Sequence, residues 1–270
     1  KLQTYEFKRK AVNAIVQGIE NYINQPNIVY DILSQEIPTG DTLYYMNYKS
    51  SYKSEYGQPN MFDKRIRYIK ADPYNIGIIT GYNTVKATGY CGINGTFFWK
   101  EKGKVYHSGI LVVEDKILWD YASRNVYWDN DKSNDYPQSV LCFYRDGTFG
   151  IEKVRFAHEI SKPVWWAIGG LGLLSQFRYD PISEGFIGVY DDVLRKCNHT
   201  SIGVTEDNKV ILARSYNVER KDTVEHMKAL GCKYAVGLDS GSSCQIVTPK
   251  WKRPTWTARK VPSMIVAIDL

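Results

Sequence analysis

The pattern of apolar and polar positions divides the chain into three textures. Near the N-terminus, Val12, Ile15, Val16, Ile19, Tyr22 and Ile23 recur at intervals of three and four. This spacing predicts a helix with one apolar stripe, closed by Pro26. Residues 28–60 are mixed: 28–33 and 43–48 are candidate strands, whereas 49–60 are polar and loop-like. From residue 65 the period shortens to two. The stretches RIRYIKA (65–71) and NIGIITGY (75–82) predict strands. Residues 110–113 and 116–119 flank a tight Glu114-Asp115 turn, and 139–144 and 148–154 flank Asp146-Gly147. Residues 202–205 and 209–214 flank Glu206–Asn208 in a third hairpin. A short helix is expected over 222–230, with Asp222 as N-cap and Gly231 as stop. Residues 234–238 and 264–268 read as buried strands. The expectation is an α+β fold with a large mixed or mostly antiparallel sheet, few helices and a leading helical segment. The expected division is an accessory segment, 1–64, and a main domain, 65–270. No internal repeat appears at a solenoid period.

Length and composition narrow the class. A chain of 270 residues that is 43% hydrophobic and 24% charged buries a core large enough to need no disulfide or metal staple. The longest apolar run, 164–174, is too short and too Gly-rich to span a membrane. The chain opens on Lys1, as a processed chain or a piece of a larger chain or assembly would, so the N-terminus does not report the compartment. The net charge of +6 is spread along the chain without a block of like charges. That argues against a nucleic-acid partner, whose phosphate backbone selects clustered Lys and Arg. It suits a phosphate-bearing polymer. Aromatic residues reach 14%, which fits sheet packing or a sugar-stacking surface. The five cysteines, Cys91, Cys142, Cys197, Cys232 and Cys244, lack CxxC spacing. A zinc or redox motif is therefore not expected, and no dense carboxylate cluster calls for a metal or other cofactor.

Four stretches end an apolar run in a small, polar turn: GINGTFF at 92–98, AIGGL at 167–171, NHTSIG at 198–203 and GLDSGSS at 237–243. Glycine lets backbone approach a ligand, and successive N–H groups in a Gly/Ser turn form an anion-binding concavity. Each stretch also has a plain structural reading. Asn94-Gly95 makes a hairpin turn, Gly169-Gly170 a bulge, His199 a strand histidine and Asp239 an Asx turn. Two glycosylation sequons, Asn94-Gly-Thr and Asn198-His-Thr, fall inside these stretches. A glycan there would disrupt a packed site.

These motifs, with ALGCKYAVGLDSGSS and the late ARKVPSMIVAI, occur in an order that resembles the phosphodiester glycosidase family. Its members include an enzyme that removes N-acetylglucosamine from a phosphodiester. The family pattern is similar to Asn-Gly-Gly-Phe-Phe, Arg-Thr-Ala-hydrophobic-Gly, Leu-Asp-Gly-Gly-Gly-Ser and a late Arg. The resemblance covers residues 65–270. Thr96 replaces the second Gly of the first motif, His199 the Arg, and Ser240 the first Gly after Asp239. Ser215-Tyr216 stands where the family has Asp-Gly, and Asp222 stands for a helix Glu.

The resemblance implies a hydrolase that cleaves a sugar-1-phosphodiester through an oxocarbenium-like state. The implied catalytic residues are Asp239, as nucleophile or as base for water, His199, as phosphate contact or acid–base group, and Asn94. Thr96, Gly169, Gly170, Thr200, Ser240, Gly241, Ser242, Ser243 and Arg259 would hold hydroxyls or phosphate oxygens. The expected substrate is a phosphate-bearing glycan, such as a teichoic acid or another bacterial cell-surface phosphoglycan, in an extracellular or virion-associated setting. The alternatives are a non-catalytic carbohydrate-binding module of a phage or cell-surface protein and, more remotely, a nuclease. If His199 contacts phosphate, it is expected to act as imidazolium.

Overall fold

The computed structural model describes residues 32–36, 39–46, 50–58, 65–114, 116–120, 136–186, 191–249 and 259–269. The expected helix at 12–23 lies outside them. Within the described residues the strands are, in chain order, β1 (Ile32–Glu36), β2 (Thr42–Met46), β3 (Glu55–Gly57), β4 (Ile66–Ala71), β5 (Ile76–Asn83) and β6 (Cys91–Asn94). There follow β7 (Phe97–Glu101), β8 (Lys104–Ser108), β9 (Leu111–Val113), β10 (Lys116–Trp119), β11 (Gln138–Tyr144) and β12 (Phe149–Val154). The last six are β13 (Val164–Leu174), β14 (Cys197–Thr205), β15 (Val210–Val218), β16 (Cys232–Ser240), β17 (Ile246–Val247) and β18 (Val261–Ala267). The α-helices among the described residues are the single turn α1 (Asp191–Leu194) and α2 (Asp222–Ala229).

One sheet has the order β1-β2-β5-β18-β6-β17. The larger has the order β10-β9-β13-β16-β14-β15-β4-β3, with β11 also on β13 and β12 on β11. Strands β7 and β8 form a separate hairpin. Every described pairing is antiparallel. Among the described residues the fold is therefore sheet-dominated, with one α-helix of more than a turn. This is less helix than the α+β expectation, because loops and edge strands occupy the connections. Residues 32–57, read from sequence as accessory, supply β1 and β2 to one sheet and β3 to the other.

The hairpins form where the turn residues demand them. Asp146 Oδ1 accepts from Thr148 N at 2.9 Å, and Gly147 takes φ 80° between β11 and β12. Asn208 takes φ 57° between β14 and β15, a left-handed value that Asn tolerates well. Asp222 is the first residue of α2, one place inside the expected cap, and its carboxylate accepts from Glu219 N at 3.1 Å.

Strand β13 is buried along nearly its whole length because it is central on both sides. Its first half lies between β9 and β11, and its second half meets β16. The aromatics of this region pack inward. Phe143 stacks on Phe149 at 4.6 Å and meets Trp166 at 5.6 Å and Tyr74 at 5.2 Å. This cluster takes the packing side of the two readings of the aromatic surplus. Helix α2 covers one face of β13–β16 through Met227. All five cysteines are free thiols.

Candidate active site

The pairing of β14 with β16 slips at two places, one of them beside Asp239. His199 faces Ser240 and Ser201 faces Gly237, so Leu238 and Asp239 together oppose Thr200. This is a β-bulge, an irregularity that re-aims a side chain. Three groups hold its backbone. Asn94 Nδ2 donates to Asp239 O at 3.0 Å, Thr200 Oγ1 donates to the same oxygen at 2.8 Å, and Asp239 N reaches Gly95 O at 3.4 Å. Asn94 is itself fully buried and accepts from Gln245 N at 2.9 Å. The bulge thus joins the end of β6, in one sheet, to β14 and β16, in the other. The Asp239 carboxylate is left partly exposed and accepts from Ser240 N at 2.9 Å.

Beneath the bulge, on the opposite face of the larger sheet, lies a buried polar relay. His199 is 0% exposed. Its Nε2 faces two carbonyls, Arg195 O and Val218 O, each at 3.0 Å, so that nitrogen carries the proton. Its Nδ1 lies 3.0 Å from Ser240 Oγ and accepts from it. Arg220, fully buried, donates to Ser240 Oγ, to Leu238 O at 2.8 Å and to Val193 O at 2.8 Å. Burial, then the Arg220 charge, drives the His199 pKa from 6.5 down to about 3. The imidazolium expected from sequence is therefore not the favoured state. A second charge beside the guanidinium, in a site that excludes water, costs more than its hydrogen bonds return.

The remaining sequence-assigned residues fall in two groups. Ser240, Gly241, Ser242 and Ser243 continue the Asp239 turn, with Gly241 at φ 60° and Ser242 exposed. Ser243 Oγ is buried and has no hydrogen-bond partner among the described residues. Thr96 is buried against Gly109, and its hydroxyl likewise has no partner among those residues. Gly169 and Gly170 lie within the larger sheet. A Cβ on Gly169 would stand 2.7 Å from Ile110 N, and one on Gly170 2.5 Å from Gly237 O. The close approach assigned from sequence to a ligand is made here by neighbouring strands. Arg259 is exposed over the Phe98 ring at 4.6 Å, and its carbonyl accepts from Gln245 Nε2 at 2.8 Å. Of the two sequon asparagines, Asn94 is fully buried, and Asn198 Oδ1 accepts from Asn217 N at 3.1 Å.

Sequence reading missed Arg220, Arg214 and Gln245. Arg220 lies just before a helix, where an exposed cation is ordinary. Arg214 ends the apolar run VILAR, and a charged residue in phase with buried neighbours was the available signal. Among the described residues no group of three or more His, Cys, Asp or Glu side chains could hold a metal, and no helix is long and apolar enough to cross a membrane.

The model of the phosphodiester glycosidase family matches residues 87–268. The chain belongs to the phosphodiester glycosidase family. Its fold is similar to that of the zebrafish N-acetylglucosamine-1-phosphodiester alpha-N-acetylglucosaminidase catalytic domain auto-inhibited by pro-peptide. That likeness has a TM-score of 0.54 at 14% identity, over 89% of this chain and 82% of that one. A hypothetical protein from Synechocystis aligns with TM-score 0.42 at 10% identity, over 90% of this chain and 64% of that one. No curated protein matches the sequence.

Two positions at which the sequence differs from the family pattern meet in the structure. His199 in place of Arg and Ser240 in place of Gly are register partners and hydrogen-bond to each other. The guanidinium under the turn comes from Arg220. A third departure, Ser215, faces α2, where its hydroxyl lies 2.8 Å from His226 Nδ1.

Proposed function

We propose that this phosphodiester glycosidase hydrolyses the bond between an anomeric carbon and phosphate, with Asp239 as the carboxylate that acts at that carbon. The observation that carries the reading is the bulge. Asn94 and Thr200 both grip the Asp239 carbonyl, at 3.0 and 2.8 Å, while the carboxylate stays partly exposed. A catalytic group needs this combination of a fixed backbone and an accessible side chain. The leaving group is a phosphate monoester, whose second pKa is about 6, so it departs without a strong general acid. A single carboxylate then suffices where an ordinary glycosidase uses two. Asp239 serves either as nucleophile or as base for water. Asn94 and Thr200 act as positioning residues, and His199 supports the turn as a neutral group from below.

The substrate that fits is a sugar phosphodiester within a bacterial cell-surface phosphoglycan such as a teichoic acid. The net charge of +6 supports a polyanionic substrate. Thr96, Ser242, Ser243 and Arg259 are the proposed contacts for hydroxyls and phosphate oxygens. The competing reading is a non-catalytic glycan-binding module, favoured by the departures at Thr96, His199 and Ser240. Release of sugar from hexose-1-phosphate methyl diesters, measured for wild type and Asp239→Asn, separates the two. Turnover by wild type that Asp239→Asn abolishes supports the hydrolase. Saturable binding with no turnover by wild type supports the module.

A further inference from the structure

We infer that Gln245 is a positioning residue that sets the spacing between Asp239 and Arg259 and so matches the site to a sugar carrying phosphate. The inference rests on the roles proposed for those two residues above.

Gln245 lies between the Gly241–Ser243 turn and β17 and is 6% exposed. A polar side chain so placed must satisfy its atoms within the protein. Its amide does so on segments remote from one another in sequence. Oε1 accepts from Val85 N at 3.1 Å. Nε2 donates to Arg259 O at 2.8 Å and, more weakly, to Ser243 O at 3.4 Å. A donor on one side and two carbonyls on the other admit a single orientation of the amide. The backbone N–H makes a further contact, to Asn94 Oδ1 at 2.9 Å. That bond orients the Asn94 amide in turn, so that Nδ2 faces Asp239 O at 3.0 Å.

Two arms therefore leave one residue. The main-chain arm runs through Asn94 to the backbone of Asp239, and the side-chain arm runs to the backbone of Arg259. Val85, at the base of the side-chain arm, is fully buried in a core cluster with Phe98 and Met264. The Arg259 guanidinium carbon lies 4.6 Å from the centre of the Phe98 ring. Arg259 is thus held against one cluster at both ends, by its carbonyl through Gln245 and by its guanidinium through Phe98. In a sugar phosphodiester the anomeric carbon and the phosphorus share one oxygen. A site that acts at the carbon while binding the phosphate must fix that span, because misplacement by about 1 Å costs on the order of a hundredfold. Asp239 keeps a second hold, Thr200 Oγ1, which does not involve Gln245. Loss of the Gln245 side chain therefore disturbs the phosphate end and spares the carboxylate end. A glutamine that merely satisfied buried backbone groups would show no such asymmetry.

The test uses the full chain with Gln245→Met, Gln245→Asn, Arg259→Met and the double variants that combine Arg259→Met with each Gln245 substitution. Methionine keeps the length and removes the side-chain hydrogen bonds. Asparagine keeps a buried amide but is too short to reach Val85 N and Arg259 O together, and it serves if Gln245→Met does not fold. Turnover is measured on hexose-1-phosphate methyl diesters and on the matching 4-nitrophenyl hexosides, which lack phosphate. Binding of inorganic phosphate is followed by phosphorus NMR. Either Gln245 variant is expected to lower diester kcat/KM by about tenfold, chiefly through KM, and to weaken phosphate binding by about the same factor. Hexoside turnover stays within about twofold. In the Arg259→Met background either Gln245 substitution costs less than about twofold more, because the contact that Gln245 positions is already gone. If hexosides are not cleaved, this cycle on the diesters decides alone. Equal falls on both substrates, or full additivity with Arg259→Met, overturn the inference. So does an Arg259→Met protein that binds phosphate and cleaves diester like wild type. If wild type binds phosphate in a manner that depends on Gln245 and Arg259 but cleaves no diester, the inference stands and the hydrolase reading falls. Wild type that neither binds phosphate nor cleaves diester overturns both.

Discussion

The neutral state of His199 has a thermodynamic consequence that can be measured without knowing the substrate. In the folded chain its pKa is driven from 6.5 to about 3 by burial and by Arg220. Between those values the unfolded chain binds a proton that the folded chain refuses. Stability is therefore complete above the unfolded pKa and is lost as pH falls below it, by about 1.4 kcal/mol per unit. At pH 5 the accumulated loss is about 2 kcal/mol, and a folded pKa one unit higher leaves this figure nearly unchanged. The assay is urea unfolding of wild type and His199→Gln at pH 7 and pH 5. Glutamine has no titrating group, and the carboxylates and other histidines, including half-buried His226, cancel in the difference. The stability advantage of wild type over His199→Gln should shrink by about 2 kcal/mol from the higher to the lower pH. A difference that changes by less than about 0.5 kcal/mol, or that grows on acidification, would refute the neutral buried imidazole. The same reasoning predicts no loss of activity from His199 as pH rises through 6.5, contrary to the behaviour of an imidazolium phosphate contact.

Other outcomes follow from particular contacts. Asp239→Asn should lower diester turnover by about a thousandfold while the melting temperature moves by only about 3 °C, because the bulge is held through its carbonyl. A Cβ on Gly237 would stand 2.5 Å from Arg220 Nη1, so Gly237→Ala should cost about 2 kcal/mol in urea unfolding. Asn94→Asp replaces a donor with an acceptor facing Asp239 O and Gly95 O, and should cost about 3 kcal/mol, with a matching fall in melting temperature by calorimetry.

Much of the fold was legible because its signals are local. The Asp146-Gly147 hairpin follows from residue types that accept particular dihedrals, and the strands around it from alternation within a few positions. The Gly and Ser turns of the site were visible for the same reason, as was the ordered set of motifs that carries the family. In 32–57, β2 falls on the stretch 43–48 read as a strand, whereas β3 falls in 49–60, read as a loop, since edge strands need only part of an apolar face.

Local residue types mark which backbone positions are special: Asn94, His199-Thr200 and the turn after Asp239. What each contributes follows from sheet face and register, which long-range pairing sets. Thr200 and His199 are neighbours in the chain, yet alternation sends one to the Asp239 carbonyl and the other to the sealed underside. One extra residue in β16 makes the bulge, and no local pattern records a slip that exists only relative to β14. Gly169-Gly170 and the Asp239 turn have similar composition, but one packs inside a sheet and the other ends a strand. Arg214 and Arg67, far apart in sequence, become neighbours only when β15 pairs with β4. A strand pattern states which residues alternate; long-range pairing alone states which of them meet.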